Sequence, residues 1–581
     1  MTSIDTLLTD HLDLWTSAIA RKSSAGRGRS MKFSLYGIDK LRSLLLDLAV
    51  RGKLVRQDPE DEPASELLKR IDAERQRQIS GGKLKRGKPL KAPDEIPFPI
   101  PHTWVWSQLG AVTNYGETEK LNPGEVEPHT WVLELEDVEK ATSRLIEKVR
   151  YTERQFQSQK NRFYPGDVIY GKLRPYLDKV LIADEAGVCT TEMVPIRAYA
   201  GLEATYLRLF LKAPFFISLA SASTHGMNLP RLGTDRAREA AIAIPPLAEQ
   251  LRIVAKVDEL MALCDRLEAG TYEALEAHQL LVTELLATLT ASRDAQELAE
   301  NWVRFETHFD TLFVTEDSVD QLKQTILQLA VTGKLVPQDP EDEPASELLM
   351  RCNARRAYLV GRREIKKAEP LPAIDSSEHP FSLPKGWVWA RFEQAVAPEF
   401  AISYGVLVPG EDQEGGVPFV RIADLSIDDP AETPEKSISP SIDAQYERTR
   451  LQGGEILMGV VGSIGKLGIA PESWRGANIA RAICRIMPNG EFSNRYLIWV
   501  LQSEFMQNGF RGDTRTLAQP TLNINLIRSA LTPVPPRAEQ ERIVAKIEEL
   551  WRLCSELNSA LSDATSTKRE LADALVSKAV G

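Results

Sequence analysis

The sequence predicts an α/β (α+β) fold in which two globular domains are joined by long helices that pair as an antiparallel coiled coil, giving a pseudo-twofold internal repeat. Three observations predict it. One string occurs twice almost unchanged, a seam of apolar residues at helical spacing also occurs twice, and two dissimilar strand-rich segments lie between the copies.

The repeated string matters most, because a missed repeat mis-assigns a whole fold. Gly52 to Leu68 reads GKLVRQDPEDEPASELL and returns at Gly333 to Leu349 as GKLVPQDPEDEPASELL, with only Arg56 replaced, by Pro337. Each copy follows a helical pattern ending in LAV, at Leu48 to Val50 and Leu329 to Val331. Downstream, FPIPHTWVW (Phe98 to Trp106) is echoed by FSLPKGWVW (Phe381 to Trp389). The shared acidic run PEDEP reads as a helix cap and start, with a partner-docking patch as the alternative.

The second repeat closes each half. IPPLAEQLRIVAKVDELMALCDRL, from Ile244, matches VPPRAEQERIVAKIEELWRLCSEL, from Val534. Ile253, Val257, Leu260, Cys264 and Leu267 alternate steps of four and three, as do Ile543, Ile547, Leu550, Cys554, Leu557 and Leu561. That rhythm is a coiled-coil seam rather than the broad face of an ordinary globular helix. The diprolines Pro245–Pro246 and Pro535–Pro536 start each helix, and Glu249 and Glu539 stand in the favourable first turn. An unbroken helix from Pro246 to Leu289 would span roughly 65 Å, with Gly270 the candidate break.

The segments between the repeats, 107–243 and 390–533, differ in sequence but share a plan. YPGDVIYGKLRPYLDKVLIA (Tyr164 to Ala183) and LQGGEILMGVVGSIGKLGIA (Leu451 to Ala470) each read as strand, glycine-containing turn, basic residue, strand. A further strand-like run follows each, MVPIRA and RAICRIMP, then a helix. GMNLPRL (Gly226 to Leu232) and AQPTLNI (Ala518 to Ile524) stand just before the diprolines. A frame kept alike has one job twice; inserts that differ on one plan have two targets.

Composition limits the function classes. At 581 residues the chain exceeds a single core. Its 43% hydrophobic and 26% charged content is that of a soluble globular protein. No apolar run approaches the ~20 residues of a membrane helix. The stretch Met1 to Lys22 carries Asp5, Asp10 and Asp13, unlike a secretory signal, so the expected location is cytoplasmic. The five cysteines form no C-x-x-C pair and the histidines are dispersed, so neither a disulfide framework nor a metal site is expected. Cys264 and Cys554 read as small core residues.

The net charge of −11 neither supports nor excludes nucleic acid, because binding depends on where charges lie. Basic residues gather over Lys69 to Lys91 and in both inserts. The first insert offers Lys172, Arg174 and Lys179 beside Tyr170 and Tyr176, with Asn228 and Arg231 further on. The second offers Ser463, Lys466, Arg475, Arg481, Arg511 and Arg515 with Gln519 and Asn523. Arg, Lys, Asn and Gln form the bidentate bonds that read guanine and adenine edges.

Catalytic signatures are missing. GVVGSIGK (Gly459 to Lys466) fails as a phosphate-binding loop: Val460 stands where the first glycine belongs, and Leu467 where a hydroxyl should hold magnesium. No dinucleotide fingerprint, nucleophile elbow, paired-histidine site or N/D-P-P-Y/F tetrapeptide occurs. A fused methyltransferase or nuclease would require one of these. A helical scaffold that never touches DNA would explain the seams but not two unlike inserts on one plan.

LAVRGKLVRQDPEDEPASELL with its copy, the two W-V-W strings and the paired PP-x-AEQ-x-RIVAK-[VI]-[DE]-EL blocks closely resemble the specificity subunit (HsdS) of type I restriction–modification systems, in the EcoAI-like branch (type IB). The resemblance covers essentially the whole chain. It implies a conserved helical region at 1–103, a target-recognition domain at 104–245, a central conserved helical region at 246–386, a second recognition domain at 387–535 and a closing coiled-coil helix at 536–581. It implies a non-catalytic subunit that reads a bipartite, asymmetric site on double-stranded DNA and scaffolds two methyltransferase and two restriction subunits. No cofactor is then expected in this chain; S-adenosylmethionine, ATP and Mg belong to the partners. The DNA-contacting residues it points to are Lys172, Arg174, Tyr176, Lys179, Asn228, Arg231, Ser463, Lys466, Arg475, Arg515, Gln519 and Asn523. Of these, Ser463 and Lys466 sit in a Gly-Ser-x-Gly-Lys turn that matches the family's, whereas GKLRPYLDK departs from it.

Overall fold

The computed structural model describes residues 4–21, 33–81, 90, 96–199, 201–225, 229–293, 295–367, 369–512 and 521–581. The chain divides into two units, Met1–Ala274 with Ala564–Gly581, and Leu275–Asp563. Both boundaries fall inside long helices, Leu247–Ala291 and Arg537–Val580. Each unit therefore contains the end of a helix that begins in the other half of the sequence.

The first helix, of 45 residues, has a length of roughly 67 Å. It runs through Gly270 without interruption, contrary to the candidate break. A Cβ added there would meet nothing within 4 Å. Gly270→Ala is expected to stabilise the protein by about 0.5–1 kcal/mol, because alanine loses less backbone entropy in a helix. An unchanged or lowered unfolding midpoint would count against this.

In each unit the buried seam lies beside a helix of the same half. Ile253, Val257, Leu260 and Cys264 are buried, and close by, Arg42 of helix Tyr36–Val50 pairs with Asp265 and Glu268. In the second unit Ile543, Ile547 and Cys554 join one core with Leu322, Ile326 and Leu327 of helix Glu316–Val331. Lys323 lies over the Trp551 ring, and Trp551 packs against Trp499 at 4.9 Å. All five cysteines are free and buried, Cys264 and Cys554 as expected of small core residues.

The far ends of the long helices are tied down by the repeated string. Lys53 Nζ donates to the carbonyl of Val580 at 2.7 Å, and its copy Lys334 donates to that of Thr290 at 2.7 Å. The last carbonyls of a helix have no partner within it, and a cation there also favours the helix dipole. The neighbouring Gly52 and Gly333 both hold φ +70°, and a Cβ on either would strike Pro101 or Pro384. The acidic run does more than begin a helix. Asp61 takes a forked pair of bonds from Arg252 and Asp342 from Arg542, fastening it to the start of each long helix.

Each insert closes on a two-stranded ladder. Val105–Gln108 pairs antiparallel with Ala241–Ile244, and Val388–Arg391 with Leu531–Val534. The W-V-W strand that opens an insert thus lies beside the strand that leads into the diproline. Between them the first insert holds a four-stranded sheet, in the order Lys120–Leu121, Lys160–Phe163, Gly187–Cys189, Trp131–Leu133. It also holds a three-stranded antiparallel sheet ordered Met193–Ile196, Val168–Gly171, Val180–Ile182. The second insert repeats the plan with altered edges. Ser403–Tyr404, Ile483–Ile486, Ile456–Gly459 and Leu467–Ile469 form one sheet, and Lys436–Ile438, Val417–Val420 and Asn478–Ile479 the other. The expected helices follow, at Ala204–Lys212 and Asn494–Gln502.

Candidate nucleic-acid interface

The expected strand–turn–strand motif forms in both inserts, and with the same hydrogen bonds. Gly171 N donates to Lys179 O at 2.9 Å, and Gly459 N to Lys466 O at 2.8 Å. The segment ahead of each diproline then docks on the turn. Leu173 bridges Arg231, and Val461 bridges Thr521. Leu232 N donates to Lys172 O at 3.0 Å, and Leu522 N to Val460 O at 2.9 Å.

This correspondence explains how GKLRPYLDK replaces a small-residue turn. Gly462 and Gly465 hold φ +74° and +82°. Arg174 and Asp178 occupy the matching places at φ +51° and +49°. Glycine enters the left-handed region without cost, and residues with a Cβ do not. The backbone plan is kept while the first turn gains one residue and larger side chains.

The predicted residues separate into three groups. Lys172, Arg174 and Tyr176 share one turn, with Arg174 and Tyr176 exposed, and Ser463 is exposed in the other. Lys179, Lys466, Arg231 and Asn523 lie in or beside the turns but bond within the protein. Lys179 Nζ donates to Leu135 O at 2.7 Å and Lys466 Nζ to Ile422 O at 2.8 Å, the first residues of the short 3-10 turns Leu135–Asp137 and Ile422–Asp424. Burial holds the Lys179 ammonium below the ordinary lysine range. Arg231 forks onto Glu192 at 2.9–3.1 Å, and Asn523 Oδ1 accepts from Asn525 N to cap helix Ile524–Ser529.

Arg475 departs from the expected grouping. It pairs with Glu472 beside Gly453, at the end of the hairpin opposite Ser463. Strand Ile456–Gly459 runs toward the turn and Leu467–Ile469 runs away from it, so residues past Ile469 return to the far end. Tyr170 is buried and faces inward. Asn228, Arg515 and Gln519 lie outside the described residues, as does much of Lys69 to Lys91, while for Arg511 only the backbone is described.

Sequence reasoning missed Glu192, which holds Lys172 N through its carbonyl and Arg231 through its carboxylate. It also missed the buried Lys212 and the largely buried Asp178, a pair behind the first turn. Lys212 ends an amphipathic helix, where a lysine ordinarily points to water, so only its burial marks it.

No group of three or more metal-ligating side chains occurs among the described residues. No helix among them is long and apolar enough to cross a membrane.

A family profile described as the type I restriction modification DNA specificity domain matches residues 410–564, which include the second turn. Over its full length the chain is 38% identical to the type I restriction enzyme EcoAI specificity subunit of Escherichia coli, covering 100% of both chains. It is 37% identical to the EcoEI specificity subunit of the same organism, again covering 100% of both. The fold is shared with a solved chain of a type I R-M system, at 19% identity and a TM-score of 0.50, over 83% of this chain and 99% of that one. With its whole length shared at such identity, the chain belongs to the family of type I restriction–modification specificity subunits.

Proposed function

We propose that this chain reads a bipartite, asymmetric sequence on double-stranded DNA, with residues 104–245 recognising one half and 387–535 the other. The observation that carries this reading is the pair of turns: one backbone plan, built twice on one frame, presenting Lys172, Arg174 and Tyr176 in one copy and Ser463 in the other. Contacts to phosphate position a protein on DNA, while contacts to base edges specify sequence. Two unlike side-chain sets on one backbone are what two unlike half-sites require.

In this reading the chain is not itself an enzyme. It scaffolds two methyltransferase and two restriction subunits, which bind S-adenosylmethionine, ATP and Mg and carry the chemistry. The repeated frame supplies equivalent docking positions twice, and the conserved helical regions 1–103, 246–386 and 536–581 set the distance between the readers.

The test is an exchange. Residues 104–245 are replaced by the corresponding segment of another specificity subunit, and the variant is expressed with its methyltransferase partner. Mapping methylated adenines should show one half of the site changed and the other half and the gap unchanged. Change in both halves, or in neither, would overturn the reading.

A further inference from the structure

Among the described residues five non-glycine residues have positive φ: Ala141 (+65°), Ser143 (+59°), Arg174 (+51°), Asp178 (+49°) and Arg363 (+60°). Three of the five, Ala141, Ser143 and Asp178, meet at one place, and Arg174 stands in the same turn as Asp178. Ala141 and Ser143 lie in the hairpin closed by the Val138–Leu145 bridge, and Arg174 and Asp178 flank the first reading turn. Ala141 N donates to Leu177 O at 2.9 Å. Ser143 Oγ donates to Asp178 O at 2.7 Å and accepts from Val180 N at 3.0 Å.

One buried ammonium holds both loops. Lys212 Nζ donates to Asp178 Oδ2 at 2.6 Å, to Ala141 O at 2.8 Å and to Ser143 Oγ at 2.8 Å. Burial pushes the Asp178 carboxyl up to about 6 and the Lys212 ammonium down, so both charges are held at a desolvation cost. Strained backbone persists only where its surroundings over-determine it, and such strain gathers at functional sites. The second unit needs no such clamp: its turn has Gly462 and Gly465, and Gln502 stands where helix alignment through the two buried tyrosines, Tyr206 and Tyr496, places Lys212.

The clamped hairpin, Glu139 to Arg144, exposes Lys140 and Arg144, and among the described residues the ion-pair partner of Arg144 is the half-buried Glu139, at 3.4 Å. Surface pairs of this kind are weak and exchange readily for another anion. We propose that this hairpin is a second DNA-contacting loop of the first unit, its Lys140 and Arg144 meeting phosphates beside the base-reading turn, and that Lys212 is the positioning residue that sets the two loops in register. The inference rests on the proposed DNA-reading role of the turn.

The test uses the chain assembled with its methyltransferase partner and duplexes carrying the mapped site or a change in either half. Lys140→Ala/Arg144→Ala should weaken binding to all duplexes alike and lower the slope of log affinity against log salt by about 2, near 0.9 for each phosphate no longer neutralised. An unchanged slope overturns the hairpin contact. Lys212→Gln should reduce discrimination at the first half-site about tenfold or more, with the second half-site unaffected. Lys212→Gln/Asp178→Gly, which installs the second unit's residues, should restore discrimination because glycine accepts the left-handed backbone and removes the unpaired carboxylate. A double variant as poor as the single one, with helix Ala204–Lys212 still protected from hydrogen exchange, overturns the positioning role. Lys172→Ala/Tyr176→Ala separates the layers. If it leaves recognition intact, the reading role of the turn fails; if it abolishes first-half recognition while the hairpin variant changes nothing, only the present inference fails.

Discussion

Deleting Ala564–Gly581, the end of the chain, is expected to loosen its beginning. These residues complete the first unit rather than the second. Ala572 is fully buried there, and Tyr36 donates to the Asp573 carboxylate at 2.8 and 2.9 Å. Lys40 pairs with Asp573 at 2.8 Å, but both side chains are more than a third exposed, so the pair itself adds little. The larger loss is apolar packing by Ala572 and the half-buried Leu575 and Val576, together with the partner of Lys53. At about 1 kcal/mol for each half-buried side chain and each hydrogen bond removed, the deletion should cost roughly 3–4 kcal/mol. Hydrogen exchange in Tyr36–Val50 should then rise about 10²–10³-fold, while Glu316–Val331 stays protected. Equal loss in both helices would refute the assignment of the tail to the first unit.

Acid should mimic part of that deletion. The bonds from Lys40 and then Tyr36 hold the Asp573 carboxyl below the ordinary carboxylate range. A depressed carboxyl stabilises the fold above its unfolded pKa, and that contribution is lost as pH falls through the folded value. Exchange in the Asp573 helix end should therefore accelerate on acidification below the ordinary carboxylate range, and Asp573→Asn should abolish the acceleration.

Trp104→Ala and Trp387→Ala should be the most damaging single substitutions in the frame, each confined to its own unit. Both indoles are nearly fully buried, and each donates at 2.9 Å to a buried first-turn carboxylate, Glu249 or Glu539. Removing a buried tryptophan costs about 3–5 kcal/mol, and the carboxylate oxygen left without its indole donor adds about 1–3 kcal/mol. Trp104→Ala should lower protection in Tyr36–Val50 and Trp387→Ala in Glu316–Val331, with additive effects in the double variant. Cross-effects of similar size would show that the two environments are not independent.

Trp104→Phe isolates the hydrogen bond. Burial already raises the Glu249 carboxyl above its ordinary value, and loss of the indole donor raises it further. A raised carboxyl gives its stability below the unfolded pKa and loses it as pH rises through the folded value. The deficit of the variant should thus be greatest at neutral pH and shrink toward acid.

Much of this arrangement is legible in the residues because it is local. Strand, turn and helix in each insert follow from alternating patterns and glycines, and the structure places them at Val168–Gly171, Val180–Ile182, Ile456–Gly459 and Leu467–Ile469. The identical GKLV strings correspond to identical helix-end contacts by Lys53 and Lys334. The candidate site was legible only in outline. Lys172 and Lys179 look alike in sequence, yet the backbone turns the second inward onto Leu135 O. Arg475 counts as another cation in the same insert, yet strand direction carries it to the opposite end of the hairpin.

That one frame is built twice around two unlike inserts follows from the residues alone, since repeated strings fold into repeated local structure and 3.6- and 2-residue periods declare their elements. Where each long helix ends its contacts, and which cations face solvent, follows only from packing in three dimensions. The same packing brings Ala141, Ser143 and Asp178 around one buried lysine. Those outcomes depend on which surfaces far apart in sequence exclude water together, and a lysine's fate is settled by the carbonyl or carboxylate it meets there, not by its neighbours along the chain.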